Sequence, residues 1–166
     1  NNVANSLMII CAKLGLRYTA VCPEELSPEK DLLHEMQALA GETGGEIIVS
    51  HDLDGVVGAD ALYTDVWVSM GEEARFEERI RLLAPYQVNS ALMARSQNPK
   101  AIFLHCLPAF HDLNTETGRE VQQKYGLKEM EVSDSVFRSP QSRVFDQAEN
   151  RLHTIKAVMV ATIGRQ

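Results

Sequence analysis

No stretch of this 166-residue chain approaches the roughly 18 consecutive apolar residues of a membrane-spanning helix. No secretory signal pattern stands ahead of its first helical segment, so a cytoplasmic location is the expectation. Positive charge is also scarce. Sixteen Lys and Arg face 23 Asp and Glu, and the net charge of -7 argues against a nucleic-acid partner, which needs a basic face to displace counterions. Only three cysteines occur, Cys11, Cys22 and Cys106, an odd number at wide spacings in apolar surroundings, which excludes a disulfide framework. A zinc site from His105, Cys106 and His111 has no second Cys or His pair at ligand spacing to complete it. A Gly-x-Gly-x-x-Gly turn is missing, which speaks against a dinucleotide site. There is no internal repeat and no initiating Met, and the first residues already read as a helix cap.

What is present is a core-forming composition, 45% apolar, enough for one domain around a single sheet. Val3, Leu7, Ile10, Cys11 and Leu14 recur at helical spacing after Asn1-Asn2, with Gly15 as a left-handed stop. Residues 18–22 read as a strand. Ser27-Pro28-Glu29 reads as a cap with Pro at the first helical position, and Gly41, Gly44 and Gly45 as breakers before a second strand at 46–50. A third strand is expected at 61–66 and a fourth at 101–106. Helices are expected from Phe76 to Leu83, from Asn89 to Arg95, from Thr115 to Tyr125, and along Leu152, Ile155, Val158 and Met159 to Gly164. Alternation of strand and helix with short links predicts an α/β fold, a doubly wound, Rossmann-like parallel sheet with helices on both faces.

Open α/β sheets bind ligands beyond the carboxyl ends of their strands. Three such places carry polar loads. His105-Cys106-Leu107-Pro108 ends the apolar run Ala101-Ile102-Phe103-Leu104, and Pro108 forces a turn that leaves Cys106 facing a crevice. A lone strand-end Cys is also an ordinary packing residue. Asp65 follows the third strand, either as a turn-initiating Asp or as the partner of an ammonium group. Ser69-Met70-Gly71 adds a hydroxyl and backbone groups. Asn1-Asn2 opens the first helix, where one amide can cap and the other can meet an anion. Arg151, in Glu149-Asn150-Arg151, is either a surface charge paired with Glu149 or Asp146 or a group reaching into a site.

Taken together these segments resemble the ornithine carbamoyltransferases, over essentially the whole chain and most specifically at residues 63–72, 103–112 and 144–162. Leu104-His105-Cys106-Leu107-Pro108 separates it from aspartate carbamoyltransferases, whose segment looks like His-Pro-Leu-Pro. The resemblance implies that the δ-amine of ornithine attacks the carbonyl carbon of carbamoyl phosphate and that phosphate leaves a tetrahedral intermediate to give citrulline, with no metal or organic cofactor. It assigns ornithine to Asn2, Asp65, Ser69 and Met70. Cys106, Leu107 and Arg151 are assigned to the carbamoyl phosphate side, with Cys106 and Arg151 at the reacting group. It further implies an enzyme of arginine metabolism forming homo-oligomers, trimers or multiples of them.

The family's Ser-Thr-Arg-Thr loop and His-Pro-x-Gln segment have no counterpart in the sequence. The expectation is therefore an ornithine-binding domain over 1–148 whose first central strand lies upstream, and a helix over 149–166 that crosses to a carbamoyl-phosphate domain. Two alternatives stand beside this reading: a non-catalytic amino-acid-binding or assembly module of the same fold, and a carbamoyltransferase for a related amine such as putrescine.

Overall fold

The computed structural model describes residues 1–68 and 73–164. Helix α1 (Asn2–Leu14) starts because the Asn1 side chain accepts the otherwise unpaired N–H groups of Val3 and Ala4, at 2.8 and 3.3 Å. It stops at Gly15, whose φ of 69° places it in the left-handed region. A Cβ at Gly15 would also lie 2.5 Å from the Thr43 carbonyl oxygen, so this glycine lets two helix ends meet.

Strand β1 (Arg17–Val21), helix α2 (Lys30–Thr43) and strand β2 (Glu46–Ser50) complete the first half. β1 and β2 run parallel, with Arg17 opposite Glu46. Their core interlocks Met8 and Ala12 of α1 with Met36 and Ala40 of α2 and Ile47 of β2. Two expectations change here. α2 begins at Lys30 rather than directly after Ser27, because the chain first makes a 3-10 turn at Glu24–Leu26 and Ser27 is held by that turn. Gly41 lies inside α2, tolerated on the exposed face while Ala40 beside it is buried.

The second half is built on strands β3 (Ala61–Thr64) and β4 (Ile102–His105), again parallel, with Ala61 opposite Ile102. Between them run α3 (Phe76–Leu83) and α4 (Ser90–Arg95), the latter capped by Asn89, whose side chain accepts the Leu92 N–H at 3.0 Å. After β4 come α5 (Glu116–Tyr125), the short α6 (Asp134–Phe137) and the long α7 (Val144–Ile163). Phe103, wholly buried, centres the larger core with Leu62, Leu92, Val132, Val136 and Val144.

The expected α/β architecture is present, with one correction. Among the described residues the strands form two separate two-stranded parallel sheets, β1-β2 and β3-β4, in place of one continuous sheet, since no described strand hydrogen-bonds to both halves. The halves nonetheless touch. Val21 at the end of β1 packs against the larger core, and Asn1 at the head of α1 reaches the end of β3.

Candidate active site at the carboxyl ends of two strands

β3 stops at Thr64, two residues short of the expected end. The physical reason is local: the Asp65 carboxylate accepts its neighbour Val66's N–H at 2.8 Å, which turns the backbone out of the ladder. The same carboxylate accepts the Asn1 side-chain amide at 3.0 Å and the Cys106 thiol at 2.6 Å. Asn1 thus serves twice, its oxygen capping α1 and its nitrogen fixing Asp65 at the positive end of that helix.

Cys106 follows β4 directly. Burial, and then the hydrogen bond to Asp65 and that group's negative charge, push its thiol up from the ordinary 9.0 to about 12. Near neutral pH it is a protonated S–H donor and not a thiolate, so this geometry does not prepare a covalent nucleophile. It does present a carboxylate edge and a thiol side by side, a place where an amine can be received and oriented.

The floor beneath Cys106 is polar and closed. His105 is buried to 1% exposure, its Nδ1 against the Cys106 carbonyl and its Nε2 3.3 Å from Glu131 Oε1. Glu131, wholly buried, accepts the Phe110 N–H at 2.6 Å and so ties down the loop that leaves the turn. His105 is therefore structural, as its alternation in the strand suggests. The Leu107–Pro108 peptide is cis, and Leu107 is 41% exposed at the rim.

A third tie comes from α7. Gln147 accepts the His105 N–H at 3.1 Å and donates its amide N–H to the Tyr63 hydroxyl at 2.9 Å, so one side chain clasps both strands next to Asp65 and Cys106. Tyr63 is itself raised above its ordinary value, by burial and then by the nearness of Cys106.

The other assigned residues divide. Asn2 is exposed in the first turn of α1, while its neighbour Asn1 makes the contact to Asp65. Ser69 and Met70 lie outside the described residues. Arg151 is exposed, and its helix starts earlier than the expected 149: α7 begins at Val144, and Arg151 stands one turn beyond Gln147 on the same face. Beyond it Leu152, Ile155, Val158, Met159 and Ile163 are all exposed, 47 to 69% each.

The one described group with metal-like spacing is His111, Asp112 and Asp134. Arg138 already pairs with both carboxylates, Asp112 at 3.0 Å and Asp134 at 2.8 Å, and His111 stacks on Phe137 at 3.6 Å. Among the described residues no helix is long and apolar enough to cross a membrane.

This arrangement can now be set against known proteins. The family model for the aspartate/ornithine carbamoyltransferase Asp/Orn binding domain matches residues 1–162. The chain belongs to this carbamoyltransferase family. It is 60% identical over 165 residues to a catabolic ornithine carbamoyltransferase of Bacillus licheniformis and 56% identical to one of Streptococcus ratti, covering 99% of this chain and 49% of each relative. An ornithine carbamoyltransferase from Pyrococcus furiosus superposes with a TM-score of 0.82 at 39% identity, over 98% of this chain and 46% of that one. The anabolic enzyme of Campylobacter jejuni gives 0.80 at 27% identity, over 98% of this chain and 48% of that one. The chain thus spans about half the length of the relatives it matches.

Sequence reading missed Tyr63, Gln147 and Glu131, as well as the second task of Asn1. Glu131 did leave a signal, a charge enclosed by Met130 and Val132 in a weakly alternating segment. Gln147 left less, since a Gln three residues after a buried Val reads as the edge of an amphipathic stripe.

Proposed function

We propose that this chain is the ornithine-binding half of an ornithine carbamoyltransferase, an enzyme that moves the carbamoyl group of carbamoyl phosphate to the δ-amine of L-ornithine and releases L-citrulline and phosphate. The observation that carries the reading is the convergence of Asn1, Asp65 and Cys106, from three separate segments, at the carboxyl ends of β3 and β4. In this reading Asp65 receives an ammonium or amine of ornithine through a charge-assisted hydrogen bond, with Asn2, Ser69 and Met70 holding the rest of the amino-acid end. Fixing that end positions the reacting amine, a source of several kcal/mol of barrier reduction, about 7 or more in well-oriented cases. Cys106, neutral and adjacent, lines the reacting group without attacking it. Leu107 borders the carbamoyl phosphate side and Arg151 donates to the developing charge.

Ornithine is favoured over aspartate as acceptor by Cys106 within Leu104-His105-Cys106-Leu107-Pro108 and by the 56 to 60% identity to proteins named for ornithine. The exposed apolar length of α7 supports a role as a crossing helix that docks on a carbamoyl-phosphate half, bringing Arg151 to the cleft. The same reading carries with it a cytoplasmic homo-oligomer, trimeric or a multiple, working in arginine metabolism.

A citrulline assay tests it. The chain alone should give no turnover, and the chain joined to a carbamoyl-phosphate half should form citrulline from ornithine but not carbamoylate aspartate. Robust turnover by the chain alone would overturn the two-half reading, and activity on aspartate or on putrescine in preference to ornithine would overturn the acceptor.

A further inference from the structure

We propose that Gln147 is a positioning residue that sets the geometry of the whole site, through a clasp between β3, β4 and α7. The proposal rests on the carbamoyltransferase reading above for its kinetic consequences, but its structural content stands by itself. Gln147 sits in the first turn of α7, half-buried, and its two amide atoms are both used: the oxygen on the His105 N–H at 3.1 Å, the nitrogen on the Tyr63 hydroxyl at 2.9 Å. Neither partner is arbitrary. His105 immediately precedes Cys106, and Tyr63 lies two residues before Asp65, so the clasp sits one residue behind one member of the Asp65–Cys106 pair and two behind the other.

The clasp also fixes the rotational phase of α7. Side chains four apart lie above one another on a helix, so anchoring Gln147 onto the strand ends directs Arg151, one turn on, toward the same edge. The head of the helix is also held by the Arg143 N–H on the Phe103 carbonyl at 2.9 Å and by the Phe145 ring edge-on to Phe137. Val144, however, is the only buried residue of the helix itself, and Gln147 is the one side chain of its first turns that reaches both strands. Loss of the amide would leave the His105 N–H without its acceptor and remove the side-chain tie that sets the face of α7 carrying Arg151 against the strand ends. A buried contact that aligns three elements is how small displacements far from chemistry become rate effects.

The test uses Gln147→Leu, which keeps bulk and removes both hydrogen bonds, and Gln147→Glu, which keeps an acceptor for His105 and can accept from the Tyr63 hydroxyl in turn. In the full chain, hydrogen exchange at the His105 amide and iodoacetamide alkylation of Cys106, read by peptide mass spectrometry, should each rise about tenfold in Gln147→Leu and return toward wild type in Gln147→Glu. In the two-half enzyme, kcat should fall about tenfold or more in Gln147→Leu with the ornithine KM within about threefold, and Gln147→Glu should restore most of it. Tyr63→Phe combined with Gln147→Leu should be no worse than Gln147→Leu alone, as expected for two groups in one clasp.

Unchanged exchange and alkylation in Gln147→Leu would overturn the proposal, as would an unchanged kcat. A lowered melting temperature with normal kcat would reduce Gln147 to a packing residue and also overturn it. If the wild-type two-half enzyme forms no citrulline, the carbamoyltransferase reading fails, while the exchange and alkylation results still decide the clasp.

Discussion

The two halves of the molecule use the same grammar, a parallel strand pair with helices, and end it differently. At the carboxyl ends of β1 and β2 the polar side chains go to backbone carbonyls, to their own turn and to an exposed ion pair of Arg95 with Asp54 at 2.5 Å and Asp52 at 3.7 Å. His51 Nδ1 pairs with the Cys22 carbonyl at 2.9 Å, the Ser50 hydroxyl donates to the Asp52 carbonyl at 2.8 Å, and Tyr86 donates to the His51 carbonyl at 2.8 Å. At the ends of β3 and β4 side chains meet side chains across long separations: Asp65 with Cys106 and Asn1, Tyr63 with Gln147. The first kind of ending satisfies groups that would otherwise be left unpaired. The second leaves a carboxylate and a thiol oriented by other elements, ready to exchange partners with a ligand. The proposed site belongs to the ending whose side chains join its two strands directly, Asp65 after β3 to Cys106 after β4.

Core truncation separates the halves most sharply. Phe103→Ala removes the largest wholly buried side chain, at the strand that delivers Cys106, and should cost about 3–5 kcal/mol. Met36→Ala in the other core should cost about 2–5 kcal/mol. Urea unfolding measures both. Phe103→Ala should abolish ornithine binding together with stability, whereas Met36→Ala should lower the midpoint and leave the affinity of the folded fraction within about twofold, since its core is built on α1, α2 and β2 and not on the strands that carry Asp65 and Cys106. Equal loss of affinity in both would remove the functional distinction between the halves.

Next comes the carboxylate itself. Asp65→Asn keeps the shape but replaces a charged acceptor by a neutral amide facing the Asn1 amide and the Cys106 thiol. The ornithine Kd should rise about 100-fold, equivalent to ~3 kcal/mol for a charged hydrogen bond, with carbamoyl phosphate binding changed little. Titration calorimetry on the two-half enzyme decides it. The matching change in the quiet half, Asp52→Asn, should leave both affinities alone.

The contrast between endings also marks what was readable in the residues. Helix starts and stops at Asn1, Gly15, Asn89, Thr115 and Gly126 follow from local rules, because a cap needs only its own turn. Asp65 and Cys106 were legible as strand-end polar residues. Their direct contact was not, since it joins positions 41 apart through the register of β3 on β4. The clasp at Gln147 was invisible for the same reason, reaching 84 positions to Tyr63. The start of α7 at Val144 was misjudged because exposed Phe145, Asp146 and Glu149 blur the apolar periodicity there.

A smaller effect comes from pH. The native Cys106 thiol, raised to about 12 from 9.0, holds its proton more tightly than it does unfolded. Its contribution to stability is therefore whole below pH 9 and is lost as pH climbs from 9 toward 12. Alkylation of Cys106 should keep rising across that window without a plateau, and Asp65→Asn should bring the titration down toward the ordinary range by removing the acceptor and the charge. A plateau near pH 9 in the wild type would show an ordinary thiol and undo the Asp65–Cys106 pairing.

The smallest effect tests where the two halves touch. Asn1 joins them through one side chain, its oxygen capping α1 of the first half and its nitrogen bonded to Asp65 of the second. Asn1→Ala loses both, and the cap alone is worth about 1 kcal/mol of stability. Asn1→Asp keeps the cap, improves the charge at a helix N-terminus, and sets a carboxylate against Asp65 at the former 3.0 Å. If Asn1 only caps, Asn1→Asp should be as stable as wild type and bind ornithine normally. If the amide fixes Asp65, as the geometry has it, Asn1→Asp should retain stability yet lose about fivefold to tenfold in ornithine affinity through like-charge repulsion at the anchor. A thermal melt paired with one ornithine titration separates the two, and normal affinity in Asn1→Asp would confine Asn1 to the first half.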